Sequence, residues 1–142
     1  MIFALDNEAP RNRIALIDGE AGLSWTYAQL AEQVSRRRDL LATRGKSLLF
    51  LFCRNDLPTV AWYLAALEAK QPVALLNEQI DVQLRDNLIS LYEPECVLLS
   101  EADRASENGG LWRGRPNSAS LHPDLALLLS TSGSTGSPKF VD

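Results

Sequence analysis

The apolar positions of this chain change period as it is read from its start. Ile14 and Leu16, and then Leu23 and Trp25, recur two apart on either side of Asp18-Gly19. A period of two is that of a half-buried strand, and Asp-Gly supplies turn chemistry, so the pattern predicts a β-hairpin. The period then lengthens. Tyr27, Leu30, Val34 and Leu41 recur at helical spacing, Thr26 and Gln29 stand as in a capping box, and Gly45 suits a left-handed C-cap.

A simpler alternation follows. Residues 47–53 (SLLFLFC), 72–77 (PVALLN), 96–100 (CVLLS) and 125–131 (LALLLST) are apolar runs of strand length. Such runs are expected of strands covered on both faces. Two helical patterns separate the first three runs. Residues 57–70 place Val60, Leu64 and Leu67 on one side; residues 81–95 place Leu84, Leu88 and Leu91 on one side, with Pro94 as the stop. Strands alternating with helices predict an α/β fold: a mainly parallel sheet flanked by helices, with a small N-terminal β-hairpin. Residues 101–124 break the pattern. Asn108-Gly109-Gly110, Gly114 and Arg115-Pro116 mark a long surface loop, with Trp112 as its anchor to the body.

Composition narrows the function classes. A length of 142 residues suits one domain, and a 46% hydrophobic fraction is that of a folded one. The net charge of -4 has the wrong sign for a nucleic-acid partner or an anionic membrane surface. Cys53 and Cys96 lie at the ends of apolar runs and are expected in the core, with no disulfide framework. Neither a signal peptide nor a run of membrane-spanning length is present, so a cytoplasmic protein without a membrane span is expected. Arg36-Arg37-Arg38 is expected on the solvated face of the first helix, beside Glu32 and Asp39. His122 is the only histidine and precedes Pro123, which leaves a Ser/His/Asp hydrolase without support. No His/Cys spacing points to a metal, and Trp25 and Trp62 are expected as core anchors.

The candidate chemistry lies in residues 130–139, STSGSTGSPK. Gly133 and Gly136 permit positive φ and close backbone approach. Successive backbone N–H groups in such a stretch can form an anion nest. Ser130, Thr131, Ser132, Ser134, Thr135 and Ser137 add hydroxyls, Lys139 adds a compact positive charge, and Pro138 sets the exit direction. Together these suit an oligophosphate. The spacing is not that of a Walker loop, which needs G-x-x-x-x-G-K-[ST]. Ser/Gly/Thr composition alone also fits a flexible linker. The apolar run that launches the stretch, and the Pro-Lys-Phe-Val that closes it, favour the phosphate loop.

This stretch, STSGSTGSPKFV, resembles the phosphate-binding motif of the adenylate-forming (AMP-binding) superfamily: acyl-CoA synthetases, nonribosomal peptide adenylation domains and luciferases. LSWTYAQLAEQVSRRRDLLATRG resembles that family's Thr-Tyr-x-x-Leu helix, and AWYLAALEAKQPVALLN its Leu-x-Ala-Gly segment leading into a strand. The likeness runs from about residue 13 to residue 141. It implies a ligase that activates a carboxylic acid with ATP as an acyl-adenylate, then passes the acyl group to a thiol such as CoA or a carrier protein. By position, Thr131, Ser132, Gly133, Ser134, Thr135, Gly136 and Lys139 would hold the β- and γ-phosphates, with Mg²⁺ accompanying ATP. Phe140, Lys70 and Leu75 stand where the family has Gly, Gly and Pro, which suggests a divergent member. Members are several times longer, so residues 1–142 are expected to be the N-terminal part of an adenylation domain. Such a part would hold no catalytic or metal-ligating residue of its own, would be inactive alone, and would self-associate through surfaces left bare. The competing reading is a non-catalytic nucleotide-binding or interaction module.

Overall fold

The computed structural model describes residues 11–41, 46–98, 111–113, 124–130 and 140–141. Strands β1 (Ile14–Asp18) and β2 (Leu23–Thr26) form an antiparallel hairpin with a bulge between Ile14 and Leu16. Helix α1 (Tyr27–Leu41) leaves β2 directly. Its capping box is complete: the Thr26 N–H donates to Gln29 Oε1 at 2.9 Å, and the Gln29 N–H donates to Thr26 Oγ1 at 3.2 Å. Gly45, expected to close this helix, lies outside the described residues.

The alternation beyond α1 runs β3 (Leu49–Cys53), α2 (Leu57–Glu68), β4 (Val73–Asn77), α3 (Val82–Tyr92) and β5 (Cys96–Leu98). Then come β6 (Leu111–Arg113), β7 (Leu127–Ser130) and β8 (Phe140–Val141). The larger sheet has the order β6-β5-β3-β4-β7-β8. Its middle strands β5, β3, β4 and β7 are parallel, and β6 and β8 join antiparallel at the edges. The α/β fold with a mainly parallel sheet and an N-terminal hairpin is therefore as the sequence pattern predicts. Residues 101–124 are not loop throughout, because Leu111–Arg113 pairs with β5; apart from these and Asp124 they lie outside the described residues.

Both faces of β3, β4 and β5 are covered, which explains their unbroken apolar runs. The fourth run is less enclosed than expected: in β7, Leu127 and Leu128 are half-buried and Leu129 is 48% exposed. Leu49, Leu51, Val73, Cys96 and Leu98 face α1 and α2. Phe50, Phe52, Ala74, Leu76 and Val97 face the other way, towards Leu88, Leu84 and Tyr92 of α3. Phe50 packs edge-on to Phe52 with ring centroids 6.4 Å apart, and lies 6.3 Å from Tyr92. Full burial of one such ring contributes up to about 3 kcal/mol.

Three expectations about helix faces change. On α2 the buried residues are Leu57, Thr59, Ala61, Trp62, Ala65 and Ala66, while Val60, Leu64 and Leu67 are half-buried. The helix is wedged between α1 and the sheet, and small side chains let both approach closely. On α3, Leu88 is buried and Leu84 half-buried, but Leu91 is 72% exposed. The triple arginine is not simply a solvated face. Arg36 does reach Glu32 at 3.7 Å on the outside. Arg37, however, lies over the Trp62 ring at 5.1 Å and donates to Gln33 Oε1 at 2.6 Å. Arg38 reaches the buried Glu68 at 3.6 Å as well as Asp39 at 3.5 Å. Two of the three thus pin α1 to α2. Cys96 is buried and Cys53 half-buried, and both are free thiols.

Helix α2 ends in a Schellman motif. The Lys70 N–H donates to Leu67 O at 3.1 Å and the Gln71 N–H to Ala66 O at 3.0 Å. Lys70 therefore sits at φ 56°, the left-handed position that favours glycine. Glycine would hold this position without strain.

Candidate functional site at the carboxyl edge

In an open parallel sheet, ligands bind beyond the carboxyl ends of the strands. Three chain segments emerge together at that edge here. β3 ends at Cys53 and β4 at Asn77, which are register partners. β7 lies on the other side of β4, with Leu129 beside Leu75, and so delivers Ser130 to the same edge. The chain returns as β8, in which Phe140 pairs with Ser130 and Val141 with Leu129. Both ends of the Ser/Thr/Gly stretch are thus anchored at the carboxyl edge, against each other. Thr131, Ser132, Gly133, Ser134, Thr135, Gly136 and Lys139 themselves lie outside the described residues.

Beside this point a cavity of about 550 Å³ opens over the ends of β3 and β4. Cys53, Leu75 and Leu76 contribute its apolar lining; Arg54, Asn55, Asn77, Glu78, Gln79 and the hairpin's Glu20 contribute its polar lining. The turns that place these groups are well tied. Arg54 Nε donates to Glu78 Oε2 at 2.9 Å, bridging the two strand ends, and the Glu78 N–H donates to Cys53 O at 3.3 Å. Asp56 caps α2 by accepting the Thr59 N–H at 2.9 Å, and the buried Thr59 hydroxyl accepts the Arg54 N–H at 3.3 Å. Asn77 Oδ1 accepts the Gln79 N–H at 2.9 Å, an Asx turn. The cavity can therefore offer carboxamide and carboxylate groups around one guanidinium.

Of these cavity residues the sequence analysis names only Cys53 and Leu75, neither of them as part of a site. A signal existed: CRND and NEQ are the polar residues that directly follow two unbroken apolar runs. In a parallel sheet that position is the carboxyl edge. Among the described residues, no group of His, Cys, Asp and Glu has the geometry of a metal site, and no helix is long and apolar enough to cross a membrane.

No family model matches the chain. A hybrid PKS-NRPS synthetase, TAS1, from Gloeophyllum trabeum is 28% identical over 154 residues, covering 92% of this chain and 10% of the synthetase. Among solved structures, apo MatB from Rhodopseudomonas palustris superposes with a TM-score of 0.68 at 22% identity, covering 96% of this chain and 32% of MatB. ATP-bound MatB superposes with a TM-score of 0.66 at 21% identity, over 96% of this chain and 33% of MatB. O-succinylbenzoate coenzyme A synthetase (MenE) from Bacillus subtilis, in complex with AMP, gives 0.66 at 20% identity, over 91% of this chain and 38% of MenE. This chain therefore has the fold of part of these proteins. It spans about a third of the solved chains and a tenth of the synthetase.

Proposed function

We propose that this chain is the N-terminal part of a cytoplasmic adenylate-forming ligase, and that residues 130–139 hold the β- and γ-phosphates of ATP. The observation that carries the reading is the placement of that stretch. It leaves a parallel strand at Ser130, returns at Phe140, and does both at the carboxyl edge of the sheet. The fold likeness to proteins solved with ATP and with AMP supports it.

The donor set fits an oligophosphate. Hydroxyls of Thr131, Ser132, Ser134 and Thr135, backbone N–H groups at Gly133 and Gly136, and the Lys139 ammonium are all donors. The stretch has no carboxylate, so Mg²⁺ would be held there chiefly by the phosphates and hydroxyls. In the whole protein, a substrate carboxylate oxygen attacks the α-phosphorus of ATP and pyrophosphate leaves. Charge grows on the departing phosphates, and the ammonium and N–H groups offset it more strongly in the transition state than before. A thiol, such as that of CoA or a carrier protein, then loses its proton and attacks the acyl carbon, forming a thioester as the acyl–phosphate bond breaks and AMP leaves.

The reading is tested by titrating the chain with three ligands in the presence of Mg²⁺. ATP and pyrophosphate should bind saturably, and AMP, which lacks the β- and γ-phosphates, should bind at least about tenfold more weakly. Equal binding of AMP would place recognition elsewhere. Acid-dependent pyrophosphate exchange is not expected from these 142 residues alone, which match only 32–38% of MatB and MenE. Self-association is expected too, because Ile14, Ile17 and Leu23 are 56%, 71% and 58% exposed on the hairpin. Sedimentation at rising concentration checks this; a constant monomer mass would contradict it.

A further inference from the structure

We propose that the opposite, amino edge of the sheet carries a second binding site, formed by Lys46, Lys70 and Gln71, for a small carboxylate with a short aliphatic chain. Three connections enter adjacent strands there: the residues before β3, before β4 and before β7. They are tied together by the Leu49 N–H donating to Pro72 O at 2.8 Å and the Val73 N–H donating to Ala126 O at 3.1 Å. Between them lies a cavity of about 190 Å³ lined by Lys46, Leu67, Lys70, Gln71, Asp124, Leu125 and Ala126.

The lining has two characters. Leu67, Leu125 and Ala126 supply an apolar wall that suits a few methylene groups. Lys46 and Lys70 supply positive charge, and they are two of only three lysines in a chain of net charge -4. Gln71 is 6% exposed, and its Oε1 accepts the Ser47 N–H at 2.8 Å and the Ser47 hydroxyl at 3.3 Å. That fixes the Gln71 amide, which lines the cavity together with both lysines. Asp124 offsets one positive charge, so a single net charge is left to attract an anion, and the affinity is weak. The backbone supplies a separate observation. Lys70 occupies φ 56°, where glycine would be free of strain. Strain retained by a charged residue beside a cavity points to use of its side chain. The size of the cavity limits the ligand to a few carbons, and the charge selects carboxylate over alcohol or amine.

The probe is butyrate, with butan-1-ol and butylamine as controls, followed by NMR on the 142-residue chain. Butyrate should saturate with a Kd on the order of millimolar, and neither control should saturate. Lys70→Gly relieves the backbone strain, so it stays folded, yet it should weaken butyrate about fivefold or more. Lys70→Arg should keep binding within about twofold. Lys46→Met should weaken binding to a similar extent as Lys70→Gly. Absence of saturation in the wild type, or equal binding by Lys70→Gly, overturns the proposal. Neither outcome touches the proposed phosphate-binding stretch, whose flanking residues Ser130 and Phe140 pair at the other edge.

Discussion

At the residue scale, two positions isolate local backbone chemistry. Lys70 holds a left-handed conformation that costs a non-glycine residue about 1 kcal/mol. Lys70→Gly is therefore expected to raise stability by about 0.5–1 kcal/mol, read as a higher urea midpoint at unchanged slope. A lower midpoint would mean that the lysine side chain contributes more than the strain costs. Thr26 has the opposite sign. Its hydroxyl accepts the Gln29 N–H, and Thr26→Ala should cost about 1 kcal/mol in the same experiment. No change would mean that water replaces the cap. Thr26 was legible in the sequence because a capping box has fixed residue types at fixed spacing. Lys70 was marked in the sequence only as a departure from the glycine of related sequences. Its φ is set by the three-dimensional end of α2, which no residue-type pattern displays.

At the scale of elements, α2 is enclosed on two sides. Ala61, Trp62, Ala65 and Ala66 are all at 0% exposure between α1 and the sheet. Enlarging one of them must push two layers apart. Ala65→Leu is expected to cost about 1–3 kcal/mol, measured by denaturant unfolding. A neutral result would show slack between α1 and α2. The sequence pattern located this helix, but the residues it placed on one side are half-buried and not its most deeply buried ones. Val60, Leu64 and Leu67 dominate any count by hydrophobicity, whereas alanines carry little weight in such a count and are favoured where helices approach closely. The same limit applies to Arg37 and Arg38. Charge runs usually face water, yet here an aromatic face and a buried carboxylate on α2 lie within reach. The strands were easier to read, since burial on both faces leaves no polar interruption in Leu49–Cys53 or Val73–Asn77.

At the scale of the whole molecule, the fold sorts its chemistry by sheet edge. The carboxyl edge gathers the ends of β3 and β4, the cavity between them, and both ends of the Ser/Thr/Gly stretch. Lys46 and Lys70 stand at the amino edge. The Ser/Thr/Gly stretch stands out in the sequence because its residue types are those an oligophosphate would require. The cavity was not, because Arg54, Asn77 and Glu78 meet only when two strands 24 residues apart in sequence, Leu49 and Val73 at their starts, are laid side by side. The most direct test of the central claim is calorimetric titration of wild type and Lys139→Ala with Mg-ATP under one buffer. The wild type should bind saturably and the variant should lose at least about tenfold in affinity, one charge–phosphate contact being worth more than about 1.4 kcal/mol. Equal affinity of the two proteins, or no saturable binding by the wild type, would contradict it.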